Sequence, residues 1–240
     1  MQKISIVIPA HNEEQRIKKT LHAYLTFFSD LARKNILYYE VLVVLNACSD
    51  GTLHVVQEIQ SVWKECLYIE LHEGGKGRAI KAGFLDALQR PNDLIGFVDA
   101  DMATSPQAFY ALIQSIDNCD GVIASRYRAD SIIFPPRPWI KRWGSKLFYE
   151  SLITLLYGMR YSDYQCGAKL FKRAVIEKVA HRLTVKQWAF DVELLYLCKK
   201  YGFTIKEIAT QWHDQAGSKL RISSGFKMLA ELVRVRLRHG

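Results

Sequence analysis

The five cysteines of this sequence (Cys48, Cys66, Cys119, Cys166, Cys198) are odd in number, widely scattered and nowhere arranged as C-x-x-C. A disulfide framework and a structural zinc site both need closer, paired spacing, so neither is expected, and a reducing cytoplasm is the natural compartment. Long apolar runs are also missing. Leu152 to Met159 is among the longest uncharged ones, far short of the roughly 20 residues that span a bilayer. The opening stretch, Met1 to Pro9, turns polar too soon for a signal peptide and reads as a buried first strand. Repeats, low-complexity tracts and a clear linker are absent, so 240 residues imply one large domain with at most a small appendage. Acidic residues are the minority: 24 against 33 Lys and Arg, a net charge of +9. That balance implies an anionic partner, which could be a nucleic acid, a membrane surface or a phosphorylated substrate.

What the sequence does contain is alternation. Ile4 to Ile8, Val41 to Leu45, Leu67 to Leu71, Leu94 to Val98 and Gly121 to Ser125 are short β-branched or apolar runs. Between them lie helical patterns; in the first, Ile17, Leu21, Tyr24, Leu25, Phe28 and Leu31 recur at helical spacing. This order predicts an α/β fold, a mostly parallel, twisted, Rossmann-like sheet flanked by helices. Beyond Ser125 the pattern loosens. A basic loop with Pro135-Pro136-Arg137-Pro138 precedes an apolar-rich helical pattern from Lys146. A strand near Ala168 to Phe171, a helix from about Phe190, a strand at Thr204 to Ala209 and a basic helix from about Ser224 to Arg238 follow. Residues 1–220 are expected to form one domain. Within it, residues 126–160 are expected to be a basic loop and amphipathic helix inserted to face the acceptor and the membrane; beyond it, 221–240 are expected to be a basic amphipathic helix.

Unusual residues cluster just after the strands, where ligands sit in such sheets. Asp99-Ala100-Asp101 closes the fourth strand, and two carboxylates there can hold a hard divalent cation, Mg2+ or Mn2+, together with substrate phosphates. Pro9-Ala10-His11-Asn12-Glu13-Glu14 follows the first strand. Asn12 can cap the next helix, and Asn12 or Glu13 can accept hydrogen bonds from a base or ribose. Asn46, after the second strand, is placed to read a nucleoside edge. Gly74-Gly75-Lys76-Gly77-Arg78 opens a helix and has the makings of an anion site, although its spacing is not that of a Walker A loop. Ordinary turns and caps would explain each loop separately; the four together, in this order, point to a nucleotide-diphosphate site.

These motifs resemble the GT-A glycosyltransferases of family 2. Three later blocks narrow the likeness to the branch acting on dolichyl phosphate, nearer to its glucosyl than its mannosyl members: Asp163 to Phe171, Trp188 to Leu195, and Trp212-His213-Asp214 with Gly217-Ser218-Lys219. The resemblance implies an inverting enzyme with Mg2+ or Mn2+ at Asp99 and Asp101. UDP-glucose is the favoured donor and GDP-mannose the second. Pro9, Ala10, Asn12, Glu13, Asn46, Lys76 and Ala100 would then line the nucleotide-sugar side. Arg126, Arg142 and Ser145 would face the phosphate of a polyprenyl or dolichyl acceptor, at the cytoplasmic face of a membrane. Asp163 and Asp191 are further catalytic candidates. Asp163 can face the donor sugar, and Asp191 falls near where relatives with soluble acceptors keep a base, or orients the site instead; structural caps explain both equally. Three departures stand out: Asn46 where aspartate is commoner, Ala103 where the mannosyl branch often has a glutamine, and no amino-terminal anchor of the eukaryotic glucosyl kind.

A phosphate acceptor is already largely ionised near pH 7, so it needs no base. It does need cations, and between 126 and 146 only Asp130 opposes six Arg and Lys residues. The alternatives are a family 2 enzyme acting on a sugar hydroxyl and a non-catalytic basic protein binding membrane or nucleic acid. No RNA- or DNA-binding signature accompanies the charge, so nucleic acid is not an expected partner.

Overall fold

The computed structural model describes residues 1–135, 151–187, 189–214 and 224–240; in the last helix the side chains of 224–229 are not described. Its elements run β1 (Gln2–Ala10), α1 (Glu14–Arg33), β2 (Leu37–Asn46), α2 (Thr52–Val62), β3 (Cys66–Leu71), α3 (Lys76–Ala87), β4 (Leu94–Val98), α4 (Pro106–Gln114), β5 (Gly121–Ser125) and β6 (Ile132–Phe134). Helical residues 151–157 form α5. Then come β7 (Ala168–Lys172), α6 (Arg173–Val179), α7 (Phe190–Lys200), β8 (Ile205–Ala209), β9 (Gln211–His213) and α8 (Ser224–His239).

Seven strands make the main sheet in the order β3-β2-β1-β4-β7-β5-β8. The alternating apolar runs are buried on both faces, as a parallel sheet requires. Ile4, Ile6 and Ile8 pack with α1 residues such as Leu21 and Phe28, whereas Val7, Leu42 and Val44 pack with Ile80 and Phe84 of α3. The α1 stripe read from the sequence is the buried one: Ile17, Leu21, Tyr24, Leu25, Phe28 and Leu31.

One strand reverses. β7 runs antiparallel to both β4 and β5, while β1/β2, β1/β4, β2/β3 and β5/β8 pair in parallel. The sequence pattern located β7 but carried no sign of its direction. The reversal matters because Val98 pairs with Ala168. The entry to β7 therefore lies at the same sheet edge as the exits of β1, β2, β4 and β5. Three short elements escaped the sequence reading: α6, β6 and β9. β6 and β9 pair in parallel as a separate ribbon, with Phe134 stacked on His213 at 5.5 Å. The ribbon is tied to the segment after Asp101 by a Thr104–Trp212 bridge and a bond from the His213 amide to the Ala103 carbonyl, 2.9 Å.

The basic α8 packs onto the body: the Tyr157 hydroxyl donates to the Leu232 carbonyl at 2.5 Å, and Arg236 Nε to that of Leu156 at 2.9 Å. α3 lies so close to the sheet that a Cβ on Gly83 would fall 2.4 Å from Val7 Cγ1 and 3.0 Å from Val44 Cγ2. Overpacking there has no outlet, so Gly83→Val is expected to destabilise the protein by about 1–3 kcal/mol, or to block folding. Urea unfolding followed by circular dichroism checks it.

Candidate active site

Five chain segments converge at the sheet edge where β1, β2, β4 and β5 end and β7 begins. Its centre is Asp99-Ala100-Asp101, beyond the last residue of β4. The loop is held from beneath by α1: the Thr20 hydroxyl donates to the Ala100 carbonyl at 2.7 Å, and the Tyr24 hydroxyl to that of Thr104 at 2.9 Å. Asp101 Oδ1 accepts from the Ala103 amide at 3.0 Å, and Met102 sits in the left-handed region at φ +60°. Asn12 and Ala47 adopt the same region at the ends of β1 and β2. For non-glycine residues this conformation is uncommon and costs on the order of 1–3 kcal/mol each, a kind of strain that clusters at functional sites.

The two carboxylates share little positive charge. Lys76 Nζ lies 2.6 Å from Asp99 Oδ1. Burial raises the Asp101 carboxyl, and the neighbouring Asp99 charge raises it further. The Tyr24 phenol, buried beneath, is likewise pushed up, first by burial and then by Asp99 and Asp101. Lys76 and, further off, Arg16 act on the pair, but Arg16 is itself paired with Glu13, so the cluster keeps a net negative charge carried by hard oxygen donors. That donor set suits a divalent cation whose remaining ligands are phosphate oxygens. No cluster of three or more His, Cys, Asp or Glu residues exists among the described residues, so no protein-only cage competes with that arrangement.

Gly167 makes room for the centre. Its carbonyl accepts from the Asp99 amide at 3.0 Å, and a Cβ there would fall 1.9 Å from Asp99 Oδ2. Asp99 can occupy its position only because residue 167 has no side chain.

The loops after β1 and β2 hold each other. Asn12 does not cap α1, as its position had suggested; Oδ1 instead accepts from the Ser49 amide at 2.8 Å, across the gap. The Glu13 amide donates to Thr52 Oγ1 at 2.9 Å and the Gly51 amide to Glu14 Oε2 at 3.1 Å. The Glu13 carboxylate pairs with Arg16. Pro9 is half-buried and Ala10 buried at the end of β1. Asn46 is buried, and its Oδ1 accepts from the Gly75 amide at 2.9 Å, so that oxygen organises the start of α3.

The α3 amino terminus departs from expectation as well. The Gly77 and Arg78 amides both point at the Lys186 carbonyl, at 3.0 and 3.4 Å, so these two donors of an anion site are already satisfied. Arg78 pairs with Glu73. Lys76 is the member of this motif that reaches the carboxylate centre.

Asp163 and Asp191 lie at this edge too, each in a buried ion pair. The Asp163 carboxylate takes Arg126 Nε at 2.7 Å and a terminal nitrogen of the same guanidinium at 2.9 Å. Burial alone would raise the Asp163 carboxyl, but the Arg126 charge and hydrogen bonds prevail and hold it below the usual carboxylate range. The guanidinium lies 5.0 Å from the Trp212 ring centroid, under the β6–β9 ribbon. Asp191, in the first turn of α7, takes Lys169 Nζ on Oδ1 at 2.5 Å. Lys169 is wholly buried; it also donates to the Cys166 carbonyl at 2.8 Å and lies 5.2 Å from the Phe97 ring centroid. Nothing local in the sequence marks Lys169, because a lysine in a five-residue strand reads as a solvated edge position. Arg142 and Ser145 lie outside the described residues.

Removing one partner of a buried pair strands the other charge. Lys169→Met is expected to cost about 3–5 kcal/mol in urea unfolding, and Lys169→Met with Asp191→Leu to recover most of that loss. A double variant no more stable than the single would show that the pair is not the source of the penalty.

Residues 5–180 match glycosyl transferase family 2. A dolichyl-phosphate beta-glucosyltransferase of Trichomonas vaginalis is 32% identical over 241 residues, spanning 97% of this chain and 72% of that protein. The Homo sapiens protein of that name is 28% identical over 252 residues, spanning 99% and 76%. Among solved structures, glucosyl-3-phosphoglycerate synthase from Mycobacterium tuberculosis, in complex with Mn2+, UDP and phosphoglyceric acid, superimposes with a TM-score of 0.70 at 16% identity, covering 100% of this chain and 79% of that one. Mannosyl-3-phosphoglycerate synthase from Rubrobacter xylanophilus gives 0.72 at 16%, covering 99% and 74%. At that identity the structural likeness speaks for the shared GT-A fold. With the family matched over most of its length and its acidic loop at the family's expected strand end, this chain belongs to glycosyl transferase family 2.

Proposed function

We propose that this glycosyltransferase moves glucose from UDP-glucose to dolichyl phosphate or a related polyprenyl phosphate, with Mg2+ or Mn2+ held by Asp99 and Asp101. The observation that carries the acceptor is the extent of the likeness. The family match ends at residue 180, whereas similarity to the dolichyl-phosphate beta-glucosyltransferases runs through 97–99% of the chain.

In this reading Pro9, Ala10, Asn12, Glu13 and Asn46 border the nucleoside, and Lys76, Asp99, Ala100 and Asp101 the diphosphate. When bound, the cation neutralises charge on the departing diphosphate. Lys76 adds a second positive charge at that end of the breaking bond. The acceptor phosphate brings its own negative oxygen, which attacks the anomeric carbon from the face opposite the diphosphate and inverts it. No side chain has to take a proton, which fits the engagement of Asp191 with Lys169. Arg126, Arg142 and Ser145 would hold the acceptor phosphate; Arg is suited to this by its fork of N–H donors. Asp163 then acts by fixing the Arg126 guanidinium.

The lipid acceptor calls for a membrane, and a peripheral place on its cytoplasmic face belongs to the same proposal. No helix among the described residues is long and apolar enough to cross one. On α8, Val233 and Leu237 are exposed beside Arg234 and Arg238, and Leu155 is exposed on α5. Apolar side chains flanked by arginines suit the interface of an anionic bilayer.

Incubation with polyprenyl phosphate, Mn2+ or Mg2+, and separately UDP-glucose, UDP-N-acetylglucosamine and GDP-mannose is expected to yield a glucosylated lipid from UDP-glucose. No lipid product from any donor would overturn the proposal. Gly167→Ala, which pushes Asp99 aside, is expected to lower kcat/KM on the order of 10²-fold while the thermal unfolding midpoint stays near that of the parent.

A further inference from the structure

Lys76 is the cation in direct contact with Asp99 of the acidic centre, and its main chain has almost no freedom. The Gly75 amide is bonded to Asn46 Oδ1 at 2.9 Å. Gly75 itself lies at φ +143°, with a Cβ position only 2.4 Å from the Lys186 carbonyl oxygen. On the other side the Gly77 amide bonds that same carbonyl at 3.0 Å, and a Cβ on Gly77 would fall 2.7 Å from that of Phe190. The four-carbon side chain is what can redirect. It keeps a route to solvent: the Lys76 and Asp99 side chains are 14% and 26% exposed. A second anion is within electrostatic reach, since Asp191 acts on the Lys76 ammonium after Asp99.

A divalent cation that takes Asp99 Oδ1 must displace an ammonium already 2.6 Å from that oxygen. Like charges cannot share so small a space without mutual repulsion. The displaced ammonium needs a new anion, and the diphosphate that arrives with the cation is one.

We propose that Lys76 is an exchangeable counter-ion: its ammonium passes from Asp99 to the donor's diphosphate when the cation and the nucleotide bind together. This deepens the reading above and rests on it. Cation alone binds weakly, because Lys76 loses its contact with Asp99 while Asp191, the next anion acting on it, is already taken by Lys169. Nucleotide diphosphate supplies a new anion, so each ligand strengthens the other's binding by the same factor. Lys76 carries that coupling.

The test measures free Mn2+ by electron paramagnetic resonance during titrations of the full chain, with and without UDP. Wild type, Lys76→Met and Lys76→Gln are compared, and thermal melts confirm that at least one variant is folded. For wild type, UDP is expected to tighten Mn2+ binding on the order of 100-fold, the upper part of the usual range for coupled sites. Both variants are expected to bind Mn2+ alone about 10-fold more tightly than wild type, with the UDP enhancement reduced at least about 10-fold. Mn2+ affinity raised equally with and without UDP, or unchanged in both, would mean that Lys76 stays on Asp99, and would overturn the exchange. Mn2+ binding by wild type with UDP, without this change in coupling, leaves the donor reading standing. No Mn2+ binding by wild type even with UDP removes both.

Discussion

The site is organised by a repulsion. Two carboxylates, Asp99 and Asp101, stand at the end of a buried strand, opposed by Lys76 in contact with Asp99 and, further off, by an Arg16 already paired with Glu13. Everything nearby keeps them there. Thr20 and Tyr24 tie the loop to α1, Met102 accepts a strained backbone, and Gly167 gives up a side chain so that Asp99 fits. An arrangement that costs stability on its own has to be offset by packing elsewhere, here a seven-stranded sheet buried on both faces.

The reversed strand β7 is the second constraint. Running against β4 and β5, it delivers Asp163, Gly167 and Lys169 to the edge where the parallel strands end. The second half of the chain can then finish a site begun by the first. It adds two buried ion pairs, Arg126–Asp163 and Lys169–Asp191, which fix the surroundings of the carboxylate centre. Such pairs contribute position more than stability, since their desolvation consumes much of the Coulomb gain.

Much of this was legible from residues alone. Apolar runs located the strands of the main sheet, and the helical stripe of α1 was named residue by residue, because burial on a sheet imposes a period that side chains must obey. Asp99 and Asp101 stood out by position: a pair of carboxylates alone reads equally as a solvated strand end, but four such loops in order at the strand ends point to one centre. Four things were hidden. The direction of β7 depends on which neighbours accept it, and its own residues do not encode that. Lys169 looks like any surface lysine until its partner, 22 residues away, is placed beside it. Asn12 has the chemistry of a helix cap, yet tertiary contact with Ser49 claims its oxygen, and the amides of Gly77 and Arg78 are taken by a carbonyl more than 100 residues on.

The central claim is that Asp99 and Asp101 form a cation-dependent seat for a nucleotide diphosphate. Calorimetric titration of UDP into the wild-type chain and into Asp101→Asn, each with Mn2+ and with EDTA, tests it most directly. The account predicts that Mn2+ strengthens UDP binding to wild type and that Asp101→Asn abolishes this gain while the protein stays folded. UDP affinity that ignores both the metal and the substitution would contradict it.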